Sequence, residues 1–186
     1  FTDSQILGIS TFPYSLKNFF LEGTQQVSAS WITLENLSFP YCISINSSYI
    51  YEQSTDERIN QNDAAITLAH ELGHYLGLRH VFSEGGTTSM CTDTDYCKDT
   101  PSYNRSEYEQ WLNNLDKQNK YQLKDLAKRY SCEKGEYEAH NIMDYAYCFY
   151  NEITLEQRKR IRHILNYSPL IPGPKESRID TRGVQD

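Results

Sequence analysis

The sequence predicts an α+β domain with a strand-rich N-terminal lobe, one long helix, and an irregular C-terminal lobe closed by a turn and a C-terminal helix. Two observations carry this. Period-two alternation of apolar and polar residues occurs only before residue 52. Helical periodicity starts only at Ala64, and the segments after it are separated by long stretches of turn-forming residues.

The elements follow in order. "QILGISTF" (5–12) reads as a short strand ended by Pro13. "VSASWITL" (27–34) and "YCISINSSYIY" (41–51) alternate like two further strands, separated by the turn-prone "ENLSFP". Asn62 or Asp63 caps the helix that begins "AAITLAHELGHYL", and Gly77 follows it where positive φ is usually required. Residues 83–101 have no periodicity and form a long loop. "SEYEQWLNNL" opens with the capping box Ser106-x-x-Glu109, and "KYQLKDLAKRY" places Leu123, Leu126 and Ala127 on one helical face. "SCEKGEYEAHNIMDYAYCFYNE" reads as loop. The last helix, "LEQRKRIRHIL", has Thr154 and Gln157 as its capping box and Ile153, Ile161, Ile164 and Leu165 as anchors. The ending "PLIPGPKESRIDTRGVQD" reads as a surface tail. The 186 residues suit one domain: an N-terminal lobe over 1–77, a C-terminal lobe over 78–168, and a tail over 169–186.

Composition narrows the class. A net charge of −7 argues against nucleic acid as partner, since phosphate binding calls for a basic face. No apolar run approaches the ~20 residues that span a bilayer, and the opening "FTDSQILGIS" lacks the pattern of a signal peptide. If the protein is exported, this chain is its mature part. The five cysteines, Cys42, Cys91, Cys97, Cys132 and Cys148, contain no C-x-x-C pair, which speaks against a four-cysteine zinc site. Four of them follow residue 90 in a loop-rich half, which fits two disulfides and an oxidising compartment, with Cys42 left over. The expectation is a secreted or cell-surface monomer, anchored, if at all, through a segment outside this chain.

"HELGHYLGLRH" (70–80) holds three of the chain's five histidines. His70 and His74 lie four residues apart, one helical turn on the same face, so both imidazoles can reach one ion. Glu71 sits beside the first ligand and can reach a water on the metal. Gly77 breaks the helix and turns the chain so that His80 returns as a third ligand. Three neutral imidazoles on Zn²⁺ leave a fourth position for water, the arrangement of a catalytic site. The pattern H-E-x-x-H-x-x-G-x-x-H fixes five positions, with chance occurrence on the order of 1 in 10⁴ in a chain of this size. A polar helix carrying solvated histidines would leave the glycine at the turn unexplained. His140 and His163 are not expected as ligands, because His140 lies just before the NIMDY turn and His163 near a helix C-terminus, where a cation is favourable anyway.

That pattern, followed by "NIMDY" at 141–145, resembles the metzincin signature with its methionine turn. Within the metzincins the sequence is similar to the pappalysin family. "HELGHYLGLRH" followed by Val81-Phe82, "DYCKDTP" at 95–101, and "NIMDYAYC" leading into "ITLEQRKRIR" carry the resemblance in order. It covers residues 60–165 well and the first 50 loosely, through "ILGISTFPY". A strand, a helix and another strand usual in the family before that point fall outside this chain, and "SEYEQWLNNLDKQNKYQLKDLAKRY" is longer than its counterpart. The resemblance implies a metzincin (zincin-like) catalytic domain that hydrolyses protein or peptide substrates. It implies Met143 as an apolar floor under the zinc, and Tyr145 as a phenol that swings toward the metal and stabilises the transition state. It further implies calcium at Asp95, the Cys97 carbonyl and Thr100, and a pairing of Cys91 with Cys132 and Cys97 with Cys148; spacing alone leaves three connectivities open. Asp144 is expected to brace the turn.

The implied reaction is zinc acting as a Lewis acid on a bound water, with Glu71 taking the proton and passing it to the leaving amine. Two rival readings are a silent zinc-containing binding module and a metal-dependent hydrolase of non-peptide amides or esters. The intact Glu71 disfavours the first, and the methionine turn the second.

Overall fold

A computed structural model describes residues 6–37, 40–51, 63–84, 90–115, 121–131, 133–145 and 147–171. The expectations for Asn62, Cys132 and the tail over 172–186 lie outside the described residues. Among the described residues the architecture is mixed α and β, with three two-stranded sheets and four α-helices.

The chain turns around helix α1 (Ala64–Tyr75). Asp63 starts it, its carboxylate accepting from the backbone N–H groups of Ala65 and Ile66 at 2.9 and 3.2 Å. Gly77 stops it. The Gly77 N–H bonds to the His74 carbonyl and the Leu78 N–H reaches back to the Gly73 carbonyl, both at 2.9 Å. That is a Schellman ending, and it requires the φ of +87° that glycine adopts without strain.

One side of α1 packs on the sheet formed by β1 (Gly8–Ser10) and β4 (Ile43–Ile45), antiparallel with Gly8 opposite Ile45. Buried Asn46 pins the end of this sheet by donating to the Ile6 carbonyl at 2.7 Å. A second pair, β2 (Tyr14–Leu16) and β3 (Gln25–Val27), is parallel. The strand expected over 27–34 is therefore a correction: only Val27 belongs to a strand, and Ala29–Trp31 forms a 3₁₀ turn closed by Trp31 N–H to the Ser28 carbonyl. Trp31 packs on the Tyr14 ring at 5.1 Å, and that tertiary contact overrides the alternation.

In the second half, α2 (Arg105–Asn114) is capped by Asn104, which accepts from Glu107 N–H at 3.1 Å, and not by Ser106. The helix expected in "KYQLKDLAKRY" shrinks to α3 (Leu123–Leu126), after which β5 (Lys128–Ser131) pairs antiparallel with β6 (Gly135–Glu138). The reason lies in Arg129 and Ser131, both buried on the inner face of β5. Arg129 faces the Asp144 carboxylate at 3.4 Å and lies over the Tyr108 ring at 3.7 Å. Tyr103 donates to the same carboxylate at 2.6 Å and the Tyr145 N–H at 2.7 Å, so Asp144 braces its turn. Helix α4 (Leu155–Tyr167) has the expected capping box of Thr154 and Gln157. Ile164 is buried and Ile161 packs on the core, whereas Leu165 is exposed.

The core gathers Leu78, Val81, Phe82, Tyr103, Tyr108 and Met143 directly behind the end of α1. Cys91 is disulfide-bonded. Cys97 and Cys148 are buried free thiols, so the second expected bridge is not formed; the Cys148 thiol instead donates to the Asn141 carbonyl at 3.3 Å. Cys42 is free as well.

Arg129→Met would leave the Asp144 charge buried without its cation. Removing one partner of such a pair costs about 3–5 kcal/mol. Urea denaturation followed by circular dichroism should show a loss of that size.

Candidate metal centre

Helix α1 delivers His70 and His74 on one face, and the Schellman turn at Gly77 sends His80 back beside them. His80 Nε2 lies 3.2 Å from His70 Nε2 and 3.0 Å from His74 Nε2. One ligand atom from each of the three side chains falls within 4.8 Å of the others. The opposite ring nitrogens decide what those approaches mean. His70 Nδ1 sits 2.7 Å from the Ile142 carbonyl, His74 Nδ1 sits 2.8 Å from the Leu78 carbonyl, and His80 Nδ1 meets the Glu84 carboxylate. All three partners are acceptors only, so each Nδ1–H is engaged there and each Nε2 is left facing the other two rings.

Burial, and then the neighbouring rings, hold His70 down to about 3 and His74 down to about 4, so both are neutral at physiological pH. Three imidazole nitrogens that converge in this way form a donor set among which one cation can sit. Tetrahedral zinc at ~2.0–2.1 Å from each nitrogen places the nitrogens about 3.3 Å apart. The observed 3.0 and 3.2 Å fit that donor set.

Glu71 is buried one residue beyond His70, and burial pushes its carboxyl up to about 7. Gly8 makes the room: a Cβ there would stand 2.5 Å from Glu71 Cγ. Tyr145 places its ring 4.4 Å from His80 and 5.6 Å from His70, half-exposed on the open side of the triad. Arg105 stacks at 4.8 Å over both the Tyr145 and Phe82 rings.

Met143 is completely buried, and a Cβ on Gly73 would meet its sulfur at 2.3 Å. Gly73, the first glycine of that stretch, is therefore where the helix and the turn touch. Asn141 shapes that turn, accepting from Met143 N–H at 3.0 Å while exchanging hydrogen bonds with Gln157 of α4.

A scan of family models matches residues 31–166 to the peptidase family described as pregnancy-associated plasma protein-A. The chain belongs to that family. This pappalysin-type metzincin sequence is 37% identical over 108 residues to proteins named extracellular metalloproteases from Arthroderma benhamiae and Trichophyton verrucosum. Each match covers 56% of this chain and 32% of the relative, so the chain spans about a third of their length. Among solved structures, mature mirolysin of Tannerella forsythia, in complex with a cleaved peptide, is similar over 88% of this chain and 48% of its own, with 22% identity and a TM-score of 0.47.

The other sequence-stated groups separate cleanly. His140 meets the Asn151 side chain and His163 the Phe19 carbonyl; neither belongs to the triad. Asp95, Cys97 and Thr100 do come together, but the Thr100 hydroxyl lies 2.6 Å from both the Asp95 carboxylate and the Cys97 carbonyl. The Thr100 hydroxyl carries a single proton, which it can donate to one of these two oxygens at a time. The next residue of that loop with a long reach is Asp99, which accepts from the first-turn Glu156 N–H of α4 at 2.9 Å.

The sequence reading of the pappalysin motif passed over Gly8, Gly73, Arg105 and Glu84. Only Gly73 left a local signal, as a glycine in mid-helix where alanine would favour the helix by about 1 kcal/mol. Gly73→Ala should nevertheless destabilise the protein, because overpacking against a buried sulfur costs about 1–3 kcal/mol. The urea midpoint of the variant is expected to fall; an unchanged or raised midpoint would contradict the close approach.

Proposed function

We propose that this chain is the catalytic domain of a secreted zinc-dependent endopeptidase, acting as a monomer on protein or peptide substrates. The observation that carries it is the convergence of three histidine Nε2 atoms beside a buried carboxylate that burial alone raises toward neutrality. Residues 1–77 would form the N-terminal lobe ending in the zinc helix, and 78–168 the C-terminal lobe, with substrate lying between them. Secretion is supported by the disulfide-bonded Cys91 and by relatives named extracellular. Among the described residues, no helix is long and apolar enough to cross a membrane.

His70, His74 and His80 would hold the zinc, which when bound supplies a Lewis acid that polarises the scissile carbonyl and brings a water's pKa toward ~7. Glu71 would take the proton from the attacking water onto its carboxylate and deliver it to the departing amine nitrogen. Its place against Gly8 excludes bulk water from one side, so the proton is held at the carboxylate instead of exchanging with solvent. The Tyr145 hydroxyl, on the open side of the triad, would donate to the carbonyl oxygen as negative charge builds there. Met143 would serve as the apolar floor that keeps the three rings from tilting away.

The silent-module reading loses ground on the same observation. Burying a carboxylate costs stability, and a metal kept only for shape gives no reason to bury one beside it. A non-peptide hydrolase is disfavoured by membership in a peptidase family.

Glu71→Gln keeps the shape of the side chain and removes the base. Zinc content by atomic emission should stay near that of the wild type while cleavage of a denatured protein substrate falls about 10²–10⁴-fold. Unchanged cleavage would remove Glu71 from the mechanism. Stripping the wild type with a chelator should abolish cleavage, and zinc added back in excess of the chelator should restore it.

A further inference from the structure

Two of the three histidines rest their Nδ1–H on backbone carbonyls, but His80 rests on a side chain. Its partner Glu84 is held from behind: Arg79 Nη1 donates to the other carboxylate oxygen at 3.0 Å. Arg79 is itself fixed, donating from Nε and Nη2 to the Gly23 carbonyl at 3.0 and 2.7 Å and lying 4.9 Å over the Phe12 ring. The Glu84 backbone N–H is pinned to the Thr94 hydroxyl at 3.1 Å. His80 also lacks what orients the other two rings, since it lies beyond the end of α1 in a segment without helical hydrogen bonds. Its ring is held by stacking on Phe82 at 4.8 Å and by Glu84.

We infer that Glu84 is a positioning residue for His80, buttressed by Arg79, and that this pair sets how tightly the third ligand holds the metal. A carboxylate on Nδ1–H fixes the tautomer, stops ring rotation and makes Nε2 a stronger donor than a carbonyl partner would. Arg79 ties this arrangement to Phe12 and Gly23 of the N-terminal lobe, so the third ligand depends on both halves of the chain. The inference rests on the zinc reading above.

The test is competition for zinc against a chromophoric chelator near neutral pH, using the wild type, Glu84→Gln, Glu84→Ala and Arg79→Met. Melting of each metal-free protein and the visible spectrum of each cobalt-loaded one are recorded in parallel. Glu84→Ala should weaken zinc binding about 10–100-fold with the metal-free melting temperature little changed. Glu84→Gln keeps an acceptor for Nδ1–H but loses the charge, so it should fall between the two, at least about threefold weaker than wild type, with an altered cobalt spectrum. Arg79→Met should shift affinity in the same direction. If Glu84→Ala does not fold, Glu84→Gln decides alone. Tight wild-type binding with Glu84→Gln within about twofold of it overturns this inference only. A wild type that holds no zinc overturns the metalloprotease reading and this inference with it.

Discussion

The structure depends on three ring nitrogens being brought together at the end of one helix. Each Nδ1–H is committed to an acceptor that cannot donate: the Ile142 carbonyl, the Leu78 carbonyl and the Glu84 carboxylate. The Nε2 atoms are left facing inward at 3.0 and 3.2 Å, a spacing that suits a shared cation. Folding therefore brings the three candidate ligands together through hydrogen bonds of its own.

The acceptors themselves come from distant parts of the chain, and they are connected. Ile142 precedes Met143, whose side chain lies under Gly73 of α1. Asn141 accepts from Met143 N–H and is locked to Gln157, whose side chain also closes the capping box of α4. Arg160, one turn further along, donates to the Gly77 carbonyl at 3.1–3.2 Å, reaching the point where the chain turns back toward His80. The start of α4 thus supports both the turn that orients His70 and the reversal that delivers His80. A helix that carries no ligand holds the ligand set together.

What could be read from the sequence was what is settled locally. Helical spacing pairs His70 with His74, Gly77 marks the only ending that returns the chain quickly enough, and Asp63 and Thr154 cap the helices that follow them. What could not be read depends on partners far along the chain. Arg129 sits in a strand because Asp144 and Tyr108 await it, and helix propensity in "KYQLKDLAKRY" gives way to that buried pair. Asn104 displaces Ser106 as cap, and 27–34 curls into a 3₁₀ turn because Trp31 finds Tyr14. The pairing of Cys97 with Cys148 came from family resemblance alone, and in the structure both are free, the Cys148 thiol bonding instead to the Asn141 carbonyl.

Two buried carboxylates near the triad show how environment divides roles between like groups. Asp144 has its oxygens occupied: Oδ1 receives the Tyr103 hydroxyl and the Tyr145 N–H, and Oδ2 faces Arg129. A carboxylate so engaged is good at holding a turn in place, although its complete burial still raises its proton affinity above the ordinary carboxylate range. Glu71 is buried by contact with Gly8 and lacks such a partner, and burial raises it to about 7. Its proton affinity is thus set near neutrality by burial against a strand glycine, whereas the raised affinity of Asp144 is opposed by Arg129, the Tyr103 hydroxyl and the Tyr145 N–H. The same physical cost, a carboxylate removed from water, is opposed by a cation and fixed donors in one case and unopposed in the other, and the unopposed one is adjacent to the three converging imidazole nitrogens.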